Sequence, residues 1–215
     1  MRLYLSSYLW GNNPEKILEL IGNGKKYAAL ITNSADQFPD EGIVERMKQD
    51  QVFLNKLGIT SERLDLRDYF RDNKSALSNK LNEFGFIWVR GANVFVLRRA
   101  MKQSGFDDLL IELLKNDKIA YGGYSAGACV LGSTLRGLDL VDDCKIAPEG
   151  YSKETIWDGL GILPYAVAPH YKSDHPESSM VDEAIEYFKE NNIPYKALHD
   201  GEVICMNGST VSILS

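Results

Sequence analysis

The sequence predicts an α/β protein with a mostly parallel sheet and helices on both faces. Strand-like apolar runs alternate with helix-like segments from the N-terminus to Leu131. The apolar runs are nearly continuous, as in parallel strands that are buried on both faces. One run also passes through Gly123-x-Ser125-x-Gly127 directly into a helix-like stretch. A chain of 215 residues can bury a large core without disulfides or metals, so we expect one domain over residues 1–215.

In the first part of the chain, the apolar pattern predicts strands that alternate with helices. The one departure is a pair of consecutive helices before the last of these strands. Helical spacing of Ile43, Val44 and Met47 illustrates the pattern, and Gly58 is a typical helix end. Pro14 suits a first helical turn, with Asn13 as its candidate cap. The predicted strands are 1–6, 27–32, 59–66, 85–89 and the run that begins at 118; the predicted helices are 14–21, 41–57, 74–83, 94–104 and 107–116.

The second part is less regular. Acidic residues, glycine and proline accumulate over 138–161, which predicts a long loop with little secondary structure. Asn207-Gly208 is a typical hairpin turn between the last two strands. The predicted elements are strands 162–168, 195–198, 203–207 and 209–214 and a helix over 178–191.

Composition excludes several classes of protein. The net charge is −6 and no basic tract occurs, so a nucleic-acid surface is not expected. The N-terminus enters a strand-like run without a secretory pattern, and we expect a cytoplasmic protein that does not bind membranes. The three cysteines, Cys129, Cys144 and Cys205, lack CxxC spacing, so we expect neither disulfides nor a metal or other cofactor. A monomer and a homodimer both remain open.

The Gly123-x-Ser125-x-Gly127 pattern is typical of a nucleophile elbow. In such a turn the glycines let the backbone fold tightly, and the serine hydroxyl is presented at the edge of the sheet. The first amides of the following helix have no partner within the helix, so the Ala126 N–H is a candidate oxyanion donor.

A base for Ser125 must come from His170, His175 or His199, the three histidines of the chain. We choose His170, because it follows a predicted strand at the end where open α/β sheets carry their chemistry. His175 lies beside Pro176 in a polar loop and is expected to contact substrate. Asp200 is the best-placed acid, since it also follows a predicted strand; the alternatives are Asp139, Asp142 and Asp143. The order Ser, His, acid differs from the order in α/β-hydrolases.

Together these motifs resemble the peptidase E and cyanophycinase family of serine peptidases, over nearly the whole chain. The matching stretches are Arg90-Gly91-Ala92-Asn93, Gly123 to Ala128, Leu163-Pro164, Pro169-His170-Tyr171 and Asp200-Gly201. The resemblance implies a class I glutamine amidotransferase-like, flavodoxin-like fold and a triad of Ser125, His170 and Asp200. It also implies a second oxyanion amide at Gly91 or Ala92. We expect Asn93, Tyr124 and His175 to contact the substrate.

Two residues depart from the family pattern. Asp200 stands where peptidase E has glutamate, and Ala92 replaces a glycine. The resemblance implies hydrolysis of short peptides without a cofactor. A non-catalytic binding or regulatory protein with the same fold, or an esterase, is the alternative.

Peptidase E selects an N-terminal aspartate through an arginine that follows the catalytic histidine. This chain has no arginine over 171–187, where Lys172 precedes a mainly acidic stretch. We therefore expect no strong preference for aspartate, unless Lys172, His175 or Arg136 supplies the cation.

Overall fold

The computed structural model describes residues 1–70 and 73–215, in which nine strands and seven α-helices are present. The strands are β1 (Arg2–Ser6), β2 (Tyr27–Ile31), β3 (Thr60–Arg63), β4 (Phe86–Val89), β5 (Ala120–Tyr124), β6 (Ala166–Ala168), β7 (Tyr195–Ala197), β8 (Val203–Asn207) and β9 (Thr210–Leu214). The helices are α1 (Lys16–Ile21), α2 (Asp40–Lys56), α3 (Lys74–Leu81), α4 (Val94–Ser104), α5 (Phe106–Lys115), α6 (Ala126–Cys129) and α7 (Ser178–Glu190).

Seven strands form one twisted sheet in the order β3-β2-β4-β5-β1-β8-β9. Strands β3, β2, β4, β5 and β1 are parallel, whereas β8 and β9 form an antiparallel hairpin at one edge. The predicted fold class, a mostly parallel sheet covered on both faces, is confirmed.

Side-chain alternation along the strands explains the continuous apolar runs. Leu3 and Leu5 point into the core that includes α3, α4 and α5, whereas Tyr4 points into the opposite core with α1 and α2. Ile87 and Trp88 divide between the two cores in the same way. Because each strand is buried on both faces, every position favours an apolar residue.

The two short strands β6 and β7 do not join the main sheet. They pair in parallel with each other, with Ala168 opposite Ala197. The sequence does not predict this separate sheet. It positions the site, because His170 lies two residues after Ala168 and Asp200 lies three residues after Ala197.

The structure agrees with the expected long loop over 138–161 but not with the expected cap of the first helix. The stretch 138–161 has little secondary structure, as predicted: a short 3-10 turn at Leu138–Leu140 and an isolated bridge from Asp158 to Thr134. Arg99 holds this stretch through hydrogen bonds to the carbonyls of Cys144, Ile146 and Glu154. The Asn13 cap is wrong. Glu15 occupies the cap position of α1, and no side chain caps that helix.

Among the described residues, no helix combines the length and the hydropathy that crossing a bilayer requires.

Candidate active site

Ser125 lies in a sharp turn between β5 and α6. Its backbone has φ 48° and ψ −116°, a conformation that costs a non-glycine residue roughly 1–3 kcal/mol. The Ser125 N–H donates to the carbonyls of Ser6 and Ser7, each at 3.2 Å, which helps to hold the turn. The glycine two residues later is required by close approach, since a Cβ on Gly127 would lie 2.4 Å from the Val89 carbonyl oxygen.

The loop after β4 packs directly against Ser125. A Cβ on Gly91 would lie 2.9 Å from the Ser125 Cβ, so only glycine allows this contact. Ser34 fixes the loop from both ends: its hydroxyl donates to the Arg90 carbonyl at 2.9 Å, and its carbonyl accepts the Asn93 N–H at 3.1 Å. The peptide groups of Gly91 and Ala92 therefore border the serine on one side, and Ala126 follows it on the other.

His170 and Asp200 meet at the end of the β6–β7 sheet. The His170 Nδ1 lies 2.7 Å from the Asp200 Oδ1. Because an ionised carboxylate only accepts hydrogen bonds, Nδ1 carries the proton and Nε2 is left as the basic nitrogen. Burial, followed by the neighbouring His175 ring, lowers the pKa of His170 from its ordinary value, and the bond to Asp200 opposes this shift.

A residue that sequence reasoning missed, Ser7, joins these groups. Its hydroxyl accepts the His170 backbone N–H at 2.8 Å and lies 2.9 Å from the Asp200 Oδ1, where it can donate. Its carbonyl accepts the Ser125 N–H. The signal for it in the sequence is slight: Ser6 ends β1 and Ser7 follows it at the carboxyl edge of the sheet, where polar side chains often serve a site.

The His170 ring is enclosed by aromatic groups. The His175 ring stacks on it with centroids 3.7 Å apart and an interplanar angle of 9°, and the Tyr8 ring meets both edge-on. The His175 Nδ1 accepts the Glu177 N–H at 3.2 Å. The Glu177 Oε2 lies 3.9 Å from the His170 Nε2.

His170, His175 and Glu177 are the types of ligand that a zinc ion prefers, and their atoms lie within 4.8 Å of one another. Two observations argue against a metal. Stacked, nearly parallel rings do not point their in-plane lone pairs at one position, and the His175 Nδ1 lone pair already accepts an amide. The geometry therefore fits a protein-only site.

Ser125 and His170 face one open cavity of about 660 Å³. Arg46 and Gln49 of α2 and the buried Arg90 contribute a wall that the sequence did not reveal. Arg90 is neutralised by a buried ion pair with Asp50. The residues that line the cavity are Tyr8, Leu9, Trp10, Arg46, Gln49, Arg90, Gly91, Ala92, Tyr124, Ser125, His170, His175 and Glu177.

Tyr124 and His175, two of the expected substrate contacts, line this cavity, whereas Asn93 does not. Asn93 is buried as the cap of α4, where its Oδ1 accepts the Phe95 and Val96 N–H groups. Its amide donates to the Asp143 carbonyl, so both ends of the side chain are occupied within the fold.

The alternative cations for substrate lie away from the cavity walls. Arg136 packs over the Trp157 ring, and Lys172 over the Tyr171 ring. Of the expected candidates, His175 alone is among the described residues that line the cavity.

The alternative acids have local partners. Asp139 accepts the Gly137 N–H, and Asp143 accepts the Lys145 N–H. The Asp142 Oδ2 accepts the Val94 N–H at 2.8 Å, at the start of α4. Burial raises the pKa of Asp142 to about 7. Asp200 is therefore the acid that the structure brings to His170.

Cys129 is buried on α6, and its thiol donates to the Val167 carbonyl. Burial raises its pKa well above the ordinary value, which leaves it largely as the unreactive thiol.

With this geometry established, comparison with known proteins places the chain. The model of peptidase family S51 matches residues 11–214, almost the entire sequence.

The chain belongs to peptidase family S51.

Curated proteins with similar sequences share moderate identity with this chain. An uncharacterized peptidase of Listeria monocytogenes is 30% identical over 120 residues, which are 56% of this chain and 55% of that protein. A peptidase E of Streptomyces coelicolor is 29% identical over 134 residues, 60% of this chain and 51% of the relative. The match thus spans little more than half the length of these curated relatives.

The fold agrees over a longer range. The crystal structure of a candidate peptidase E protein from Listeria monocytogenes superimposes with a TM-score of 0.77, covering 99% of this chain and 97% of the other. At 22% identity this similarity shows the fold alone.

Proposed function

We propose that the protein is a serine peptidase that hydrolyses short peptides. Ser125 is the nucleophile, His170 the general base and Asp200 the group that orients His170. The 2.7 Å contact between His170 and Asp200 carries this proposal, because it fixes the proton on Nδ1 and leaves Nε2 basic in the cavity that contains Ser125.

The reaction follows from these positions. Ser125 attacks the peptide carbonyl while the His170 Nε2 accepts the hydroxyl proton; the imidazolium then delivers this proton to the leaving amine. Water, activated by the same nitrogen, releases the acyl group from Ser125. Amides of Ala126 and of Gly91 or Ala92 stabilise the oxyanion in each step. The lowered pKa of His170 keeps the imidazole in its basic form near neutral pH.

Short peptides fit the site better than folded proteins. The open cavity of about 660 Å³ lies within the range typical of small-ligand sites, and it is bordered by residues 90–92, α2 and residues 170–177. The family relatives include a peptidase E, in agreement with this substrate class.

The residue before the scissile bond is expected to be neutral. Glu177 lies beside the base, and a small second cavity next to Ser125 is lined by apolar side chains and Asp142. An acidic side chain would be repelled there. Comparing kcat/KM for Asp-, Ala- and Leu-p-nitroanilides tests this: a tenfold advantage for Asp would contradict it and would direct attention to Arg46.

A fluorophosphonate probe tests the proposal directly, because it labels activated serines. We expect stoichiometric labelling of the native protein and hydrolysis of members of a dipeptide library. Ser125→Ala and His170→Ala should abolish both, and Asp200→Asn should reduce kcat by roughly 10³–10⁴. Ser212→Ala, on the exposed strand β9, is the matched control.

Two outcomes favour the alternatives. A folded protein without labelling or turnover would be a non-catalytic binding protein. A labelled protein that cleaves acyl esters but no aminoacyl amide would be an esterase.

A further inference from the structure

Glu177 lies immediately beside the reacting groups but has no part in the proposed hydrolysis. Its Oε2 is 3.9 Å from the His170 Nε2, the nitrogen that must serve Ser125. Glu177 and Ser125 also line both the main cavity and the smaller cavity next to the elbow. A carboxylate therefore borders the position where a substrate carbonyl would be attacked.

This position matches one group of a peptide with a free N-terminus. When the first peptide bond is cleaved, the α-nitrogen lies only about 2.5 Å from the attacked carbonyl carbon. A charge-assisted hydrogen bond from an ammonium group adds about 2.7–2.9 Å. The anionic partner of the α-ammonium must then lie beside the nucleophile and the base, which is where Glu177 is found.

The surroundings of Glu177 make it the natural anion for this role. Asp142, across the smaller cavity, has a pKa of about 7 and is only partly ionised near neutral pH. Arg90, which also lines the main cavity, is paired with Asp50, and Arg46 lines the cavity from α2. No arginine or lysine lies within ion-pair distance of Glu177 among the residues that the structure describes.

The backbone of Glu177 is also held in place. The Glu177 N–H donates to the His175 Nδ1 at 3.2 Å, and His175 stacks on His170. Glu177 directly precedes the 13-residue helix α7, whose N-terminus favours a negative charge.

We propose that Glu177 binds the free α-ammonium group of the substrate and so restricts cleavage to the bond after the first residue. The inference rests on the proposed peptidase function and specifies its substrate class. Blocking the amine removes the charge that Glu177 recognises, and neutralising Glu177 removes the recognition from the protein side.

The experiment is a cycle of two substrates and two proteins. Alanine p-nitroanilide and its N-acetyl derivative are compared with the native enzyme and with Glu177→Gln. We expect acetylation to lower kcat/KM of the native enzyme by about 10- to 100-fold, the effect of one lost charge-assisted bond. In Glu177→Gln the free substrate should lose a similar factor, and acetylation should then have little further effect. Glu183→Gln, on α7 away from the catalytic cavity, is the matched control.

Two further measurements separate ammonium binding from a general effect on His170. The rate of fluorophosphonate labelling, which involves no amine, should be unchanged in Glu177→Gln. With the native enzyme, kcat/KM for the free substrate should also fall above a pH of about 8, as the α-amino group loses its proton. This fall should be absent in Glu177→Gln.

Equal cleavage of acetylated and free substrates by the native enzyme would overturn the inference and leave the peptidase function intact. The inference would also be overturned if Glu177→Gln slowed fluorophosphonate labelling and lowered kcat/KM equally for the free and the acetylated substrate. Glu177 would then act through His170. Absence of labelling and of turnover in the native protein would instead overturn both proposals.

Discussion

The Ser7 hydroxyl connects the two residues that the proposed mechanism needs to keep aligned. It accepts the His170 backbone N–H and can donate to the Asp200 carboxylate, which also receives the His170 ring proton. We predict that Ser7→Ala lowers kcat by about 10- to 100-fold, the effect of losing a hydrogen bond to a charged group, with a smaller change in KM.

A loss of activity alone would not show that Ser7 positions His170 and Asp200, so a second measurement is needed. In the Asp200→Asn background, Ser7→Ala should have a much smaller further effect on kcat, because the two residues act on the same imidazole. Ser7→Thr, which keeps the hydroxyl, should recover part of the rate. Fully additive losses, or no recovery by threonine, would indicate general destabilisation of the buried site.

Asp142 predicts a pH dependence of stability. Its pKa is raised to about 7 in the folded protein, against an ordinary value of 3.8. Between these values the folded state binds more protons than the unfolded state, so this group makes the protein less stable as the pH rises from about 4 to about 7.

We therefore predict that Asp142→Asn stabilises the protein at pH 8 by on the order of 2 kcal/mol, after allowing for partial exposure, and has little effect at pH 4. The asparagine oxygen can still accept the Val94 N–H. Urea unfolding at the two pH values measures this, and an equal effect at both would show that the carboxyl is not shifted.

At the residue scale, the sequence predicts local geometry where a short pattern marks it: the sharp turn at residue 125 and a histidine shortly after a strand. Ser7, Arg46 and Glu177 could not be found in this way, because no local motif marks them and only the tertiary fold brings them near Ser125 and His170. A motif can also suggest a role that the side chain is not positioned to perform. Asn93 is expected to contact substrate, but its side chain caps α4.

At the scale of elements, the elbow depends on how closely β4 approaches α6. A Cβ on Gly127 would lie 2.4 Å from the Val89 carbonyl oxygen, a backbone atom that cannot move without distorting β4. We predict that Gly127→Ala destabilises the protein by about 1–3 kcal/mol, the typical cost of overpacking. The same substitution should abolish turnover, because it displaces the turn that carries Ser125. Thermal unfolding and peptide hydrolysis are the measurements.

Gly42, within α2, provides the matched control for this substitution. A Cβ there meets no atom within 4 Å, so Gly42→Ala should raise stability by about 0.5–1 kcal/mol and leave activity unchanged. If both alanines have similar effects, close packing of the elbow is not the reason that Gly127 is required.

Strands and helices were predictable wherever they are long enough to show a pattern. The five-residue strand β2 and the long helix α2 are examples. β6 and β7 have three residues each, too few for periodicity to say which sheet they join. Their pairing is decided by tertiary packing, and with it the route by which His170 and Asp200 meet.

At the scale of the whole molecule, the sheet passes without interruption from β3 to β9 between two apolar cores. The three tryptophans report on both cores: Trp88 is buried in one, on which Trp10 also packs, and Trp157 packs on the other. We predict that urea unfolding, followed by fluorescence of a Trp157→Phe variant and of a Trp10→Phe/Trp88→Phe double variant and by circular dichroism, gives coincident midpoints within each protein. Separate transitions would mean that the chain contains more than one folding unit.

The contact between Ser7 and Asp200 joins residues 193 positions apart in the chain. A nascent chain that has not reached Asp200 therefore already contains Ser125 and His170 but lacks the carboxylate that contacts the His170 ring. Under the proposed mechanism, activity requires the segment around Asp200 to fold back onto the residue that follows the first strand. The order of synthesis then keeps the proposed nucleophile inactive until this long-range contact has formed.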